Sequence, residues 1–321
     1  MLHRFLRYII VAFMGLTGCI AEDKQACPTQ VKVIYSYTTN QEYADMFASR
    51  VRQVAIYVFD ANERFLKLII ANQTQLVDDG KALKVDLPPG QYTILSWAGL
   101  PSWYEIGTDR NGVFSQDLTP GVTHLNDVRM QLPHQLPANE IIPIAKEPID
   151  LFHGLARKVN VESYGQTLIP IDVVRNTHTI HIKVQGLSNL SSGPPNAAPL
   201  DMFLTADNGY LYADNTFHER GVGLKYLPNS SFVEADTMTT AIKTLRLMPS
   251  HPMMLTVRDA LNGQIYFHFD LLPYIMQSPL LDNQKELDRQ EQFDVVLDVN
   301  RQLVVTIYIN GWKIITLTPQ Q

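Results

Sequence analysis

Nine histidines and 32 carboxylates give this 321-residue chain ample material for metal binding or acid–base work, so their spacing decides what chemistry is open to it. His178 and His181 stand three apart in the alternating run THTIHIKVQG. On a strand that spacing points them to opposite faces, so they cannot chelate one ion together. His268 sits between aromatics in YFHF and reads as a strand residue with a satisfied ring. Asp60, Asp86, Asp207, Asp270 and Asp298 fall at strand ends and turns, where aspartate caps backbone. Acid–base catalysis needs two carboxylates brought together with separated pKa values, and nothing in the spacing supplies them. HExxH, CxxC, EF-hand, GxSxG, P-loop and dinucleotide fingerprints are all missing from the sequence. No catalytic residue, metal site, cofactor or small-molecule substrate is expected. Trp103-Tyr104, following Pro101, could stack on a sugar ring, which would suit a surface glycan-binding protein. Loop aromatics also commonly plug the end of a core, and that is the reading preferred for this pair.

The two cysteines carry the most specific signal. MLHRFLRYIIVAFMGLTGC has a basic start (Arg4, Arg7), an apolar run from Tyr8 to Leu16, then Leu16-Thr17-Gly18-Cys19. The run is too short to span a hydrocarbon core of about 30 Å and reads as an export signal. Its last four residues match the lipobox, in which the cysteine thiol takes a diacylglyceryl group; an ordinary secretory signal that happens to contain cysteine is the alternative. The resemblance to bacterial lipoproteins implies three acyl chains on Cys19, enough for a stable anchor where one chain would hold only marginally. The acidic stretch Ile20-Ala21-Glu22-Asp23-Lys24 has no aspartate beside Cys19, and resembles a surface-export signal of the outer membrane. With Cys19 acylated only Cys27 remains, so no internal disulfide forms, and Cys27 reads as a small packing residue. Net charge is −6, and losing residues 1–18 takes it to −8, which speaks against nucleic acid as a partner.

From residue 29 onward period-two runs dominate, and no dozen residues keep a capped 3.6 period. VKVIYSY puts Val31, Val33, Tyr35 and Tyr37 on one face; residues 51–60, 64–70, 82–87 and 91–97 continue the pattern. A few short helices are expected in connections, such as Glu42–Ser49 or Pro101–Tyr104. In KVDLPPGQYTILSWAG, Pro88 must stop strand pairing, while Pro89 and Gly90 suit the centre of a type II turn. Val85, Leu87, Tyr92 and Ile94 are then expected on one core. The second half repeats the layout: Ile180, Ile182 and Val184 echo the first strand, and TLRLMPSHPMMLTV echoes the proline corner. Val33 to Ile56 is 23 residues and Ile182 to Leu204 is 22. The chain closes with QFDVVLDV, LVVTIYI, an Asn310-Gly311 type I′ turn and WKIITL, a β-dense end with Lys313 as its guard. The expected fold class is all-β: two tandem β-sandwich domains, at 29–165 and 166–321, after a signal peptide (1–18) and a lipidated tether (19–28).

Several of these residues together resemble a known family. Cys19, then Cys27-Pro28 opening into VKVIYSY, Val58-Phe59-Asp60, LPPGQYTILSWAG, Leu151-Phe152-His153-Gly154, RNTHTIHIKVQGL and the terminal INGW are similar to FimB-type fimbrial anchor lipoproteins of Bacteroidetes type V pili. The resemblance covers essentially the whole chain. It implies transthyretin-like (Greek-key) sandwiches, no enzymatic activity, no cofactor, and attachment of fimbriae to the outer membrane at the cell surface. It also implies fimbrial structural subunits as partners, met by strand exchange. Stalk subunits of such pili lose an N-terminal strand by cleavage after a basic residue. Arg50 and Arg52 follow the first strand here, but a cut there would sever the fold from Cys19. A tip adhesin could bear that loss, so anchor and tip both stay open at this point. The terminal hairpin, with Leu303, Val305, Ile307, Ile309, Trp312 and Ile314, is the expected partner-binding element.

Overall fold

A computed structural model describes residues 29–99, 101–110, 113–132, 142–143, 147–190, 200–217 and 223–317. The signal sequence, Cys19 and Cys27 lie outside the described residues. The first half contributes β1 (Gln30–Ser36), β2 (Gln53–Phe59), β3 (Phe65–Asn72), β4 (Ala82–Val85), β5 (Gly90–Gly99), β6 (Glu105–Arg110) and β7 (Val113–Ser115). It continues with β8 (Val128–Gln131), β9 (Ile142–Pro143), β10 (Leu151–Val161), β11 (Gln166–Asp172) and β12 (Val174–Arg175). The second half contributes β13 (Thr177–Gln185), β14 (Leu200–Ala206), β15 (Tyr210–Tyr212), β16 (Leu224–Tyr226), β17 (Ser230–Glu234) and β18 (Thr237–Leu245). It ends with β19 (Met253–Asp259), β20 (Ile265–Asp270), β21 (Gln292–Val299), β22 (Val305–Ile309) and β23 (Trp312–Leu317).

Sheet β11-β1-β4 faces sheet β12-β10-β5-β2-β3 to make the first sandwich. The alternation in β1 buries Val31, Val33 and Tyr35, with Tyr37 just beyond, against Ile56, Val58, Ile94 and Phe152. Tyr35 stacks on Phe47 and shares a buried hydrogen bond of 2.9 Å with Ser96 Oγ. The second sandwich pairs sheet β17-β18-β13-β21-β22-β23 with sheet β20-β19-β14-β16-β9. The two halves repeat one topology. The leading strand lies antiparallel to one neighbour and parallel to a strand late in its half: β1 to β4 and β11, β13 to β18 and β21. β2 lies between β3 and β5, as β14 lies between β16 and β19.

Three details differ from the sequence reading. The proline corner is not a hairpin, because β4 pairs with β1 in one sheet and β5 with β2 and β10 in the other. Pro88 and Pro89 carry the chain across the sandwich, and Val85, Leu87, Tyr92 and Ile94 do all reach the one core. Gly90 stands at φ 158°, close to extended and opening β5, instead of the φ near +80° of a type II turn. The division drawn at 165/166 also cuts through paired strands: β11 runs parallel to β1 over its whole length, and β12 pairs with β10. Parallel pairing joins strands far apart in sequence, so period-two patterning carries no trace of it.

A fifth sheet, β15-β8-β6-β7, takes strands from both halves, and β9 joins β16. Ala55, Tyr57, Leu95 and Trp97, on the far face of the first sandwich, belong to the same apolar cluster as the second sandwich. Polar groups stitch this junction. Arg175 bridges Asp150 and Glu291 at 2.8 and 2.9 Å, and Arg289 Nη1 donates to the Asn40 carbonyl.

Candidate partner-binding edge

The terminal hairpin is built by its turns. Asn300 Oδ1 accepts from the Gln302 and Val304 amides, which bends the chain after β21, with Leu303 at φ 59°. Asn310 and Gly311 have φ of 49° and 81°, the two left-handed residues a type I′ turn requires. Asn310 also exchanges bonds of 2.8 Å with both backbone groups of Asp294, pinning the turn to β21.

This architecture divides the six residues singled out in the sequence. Val305, Ile307 and Ile309 are buried in the core, on a strand whose backbone is paired on both sides by β21 and β23. Leu303 is exposed in the turn, and Trp312 is 54% exposed at the start of β23. Ile314 is half-buried at a bulge, where the register shifts between Ile307 and Tyr308. Among the described residues no strand pairs with the outer edge of β23, and its side chains are exposed or half-buried throughout. An unpaired row of N–H and C=O groups is a template for another strand.

Beside the hairpin turn lies a recess of about 280 Å³, between Trp312, Asn310 and Asp294 on one side and Leu280 and Gln41 on the other. Leu280 is 70% exposed, and no sequence signal marks it. It lies in an irregular stretch, QSPLLDNQ, where no period distinguishes an exposed apolar residue from a buried one.

The other candidates resolve simply. Tyr104 is buried in the core, its hydroxyl donating to the Ile149 carbonyl, and Trp103 donates to the Glu147 carbonyl at 3.0 Å. Tyr104 is part of the core, and half-buried Trp103 packs against it. His178 is buried and His181 half-exposed, on opposite faces. His268 is bonded to Thr256 Oγ1. Among the described residues no cluster of three or more His, Cys, Asp or Glu side chains could hold a metal. No described helix is long and apolar enough to cross a membrane. Arg50 ends a short helix, Phe47–Arg50, and pairs with Glu291 at 3.5 Å, while Val51 behind it is fully buried. β1, which a cut at Arg50 would release, is the middle strand of its sheet.

Comparison with known proteins places this edge in context. The family model for Fimbrillin-A associated anchor proteins Mfa1 and Mfa2 matches residues 24–318. The minor fimbrium anchoring subunit Mfa2 of Porphyromonas gingivalis is 24% identical, over 95% of this chain and 92% of that protein. Its fold is shared as well: the solved structure of the fimbrial anchor protein Mfa2 from Porphyromonas gingivalis superposes with a TM-score of 0.71 at 22% identity, covering 91% of this chain and 100% of that one. A Bacteroides thetaiotaomicron protein, described as a candidate polysaccharide-binding protein, gives 0.75 at 26% identity, over 91% of this chain and 99% of its own.

Proposed function

The chain belongs to the family of Fimbrillin-A associated anchor proteins, and from that premise we propose that it is a non-catalytic fimbrial subunit, held to the outer membrane by acylated Cys19. The free edge of β23 receives, or is exchanged with, a strand of the adjoining fimbrial subunit, with Trp312, Ile314 and Leu303 flanking the contact. The match across residues 24–318 carries this reading. Two features support it: β1 is held as a middle strand, so the fold stays joined to its tether, and the terminal strand has an unpaired edge. Strand addition suits that edge because main-chain bonds supply affinity whatever the partner's sequence.

Two variants test it together. Cys19→Ala is expected to move the protein from the membrane to the soluble fraction. Deleting residues 311–321, in a variant whose unfolding remains cooperative, is expected to abolish co-purification with the fimbrial subunit. Unchanged membrane retention defeats the lipid anchor, and unchanged co-purification defeats the hairpin contact.

A further inference from the structure

The longest edge strand among the described residues lies elsewhere, on the first sandwich. β3 runs eight residues, FLKLIIAN, with β2 as its one neighbour in the sheet. The bridge from Thr119–His124 caps its start, since Phe65 N donates to Thr123 O and Gly121 N to Phe65 O. Beyond Phe65, no described residue pairs with its outer edge. Edges are normally blunted by proline, charge or brevity. Here β11 carries Pro170, and β4, β7, β9, β12 and β15 are short. β3 is neither short nor interrupted by proline, and its one charge, Lys67, is bonded to the Asp86 carbonyl.

Its side chains make the exposure more pointed. Leu66, Leu68 and Ile70, at alternate positions, are 36, 43 and 55% exposed. Leu68 and Ile70 pair with Tyr57 and Ala55 and share their face. A cavity of about 250 Å³ opens there, between these four and Tyr104 and Ile106, with uncharged Gln53 and Gln116 at its rim.

We infer that β3 is a second docking edge, which accepts one extended segment of a partner polypeptide bearing uncharged apolar side chains at alternate positions. Area selects this occupant. The exposed stripe is on the order of 300 Å², well short of the roughly 800 Å² per partner that a stable dimer of globular chains needs. A single added strand needs less, because its affinity comes from main-chain hydrogen bonds, and its alternate side chains fill pockets such as this one. The uncharged rim matches an uncharged strand, and a charge directed there would be desolvated without a counter-ion.

The inference stands apart from the hairpin contact, and its test keeps the two separate. The full mature chain is mixed with a nine-residue probe of alternating valine and threonine, capped by lysines, and followed by hydrogen exchange. Slowed exchange at residues 66–72, lost with a probe N-methylated at alternate amides, is the expected result. Leu68→Lys with Ile70→Lys, both at exposed sites, should weaken the probe at least tenfold with an unchanged melting midpoint. Equal binding by that variant, or protection appearing only at 312–317, overturns the inference. So does slow exchange without probe at those amides of 66–72 that point away from β2, which would mean that another part of the chain occupies the edge. Concentration-dependent dimerisation abolished by the same variant overturns it in favour of a second copy.

Discussion

Two buried histidines at the junction of the halves should make this protein acid-sensitive well above the range of its carboxylates. His153, on β10, is bonded through Nε2 to the Ala213 carbonyl, and burial pushes its pKa down to about 4. Arg246 adds to that depression and Asp214 opposes it. His178, on β13, directs Nδ1 to the Gln290 carbonyl, while its buried Nε2 has no partner among the described residues. Burial takes it also to about 4, aided by Arg175 and Arg246 and opposed by Asp288. A proton on Nε2 would be a donor without an acceptor. Because the folded pKa lies below the unfolded value of about 6.5, the unfolded chain binds more protons between those limits, and stability must fall as pH drops through that window. Linkage gives a loss of about 2 kcal/mol per histidine at pH 5, or about 4 kcal/mol for both, relative to pH 7.5. Asp150 does not obscure this. Its burial opposes ionisation, but Arg175 and Lys243 hold its carboxyl below the usual range, so its contribution is lost only in stronger acid. Urea unfolding of the mature chain at pH 7.5 and 5.0 measures the difference directly. His178→Gln should remove about half of it. A difference below about 1 kcal/mol, or an unaltered one in the variant, would refute the reasoning.

Other consequences arise from single contacts. Asp288 receives Arg246 in a two-pronged bond, 2.9 and 2.6 Å, with both side chains buried. Asp288→Asn, which leaves the guanidinium without its counter-charge, should cost about 3–5 kcal/mol and lower the calorimetric midpoint by several degrees. Gly99 has φ 105°, and a Cβ there would lie 2.1 Å from the Asp150 carbonyl oxygen. Gly99→Ala should therefore cost about 2–4 kcal/mol in chemical denaturation. Gly263→Ala, at φ 75° but in open space, should cost about 1 kcal/mol.

Much of the fold was legible because strand alternation is a local property. VKVIYSY and THTIHIKVQG bury the faces their patterns indicate, and Asn310-Gly311 makes the turn its chemistry demands. The candidate site was legible only in part. The apolar alternation of β22 correctly marks a strand, but it marks a face buried in the core and says nothing of which backbone edge is accessible. Val305, Ile307 and Ile309 are apolar because they are core, and the accessible edge is the next strand along. β3 reads as a strand in the sequence, yet nothing there shows it to be an edge, since strand order is not written in any one strand's composition.

By itself, the sequence determined an all-β chain, its internal repetition, its lack of catalytic motifs and its likeness to fimbrial anchors. These rest on residue types, on spacings within a few positions, and on motif order along the chain. Only the tertiary structure decided which strands are middle and which are edge, that the proline corner crosses between sheets, and that β11 closes the first sandwich beside β1. It also decided that two histidines end up sealed in the junction between the halves. Those outcomes depend on pairings between residues up to more than a hundred positions apart, as in Val33 with Ile169. Such pairings are set by which surfaces can be buried together, a property of the assembled chain and of no segment within it.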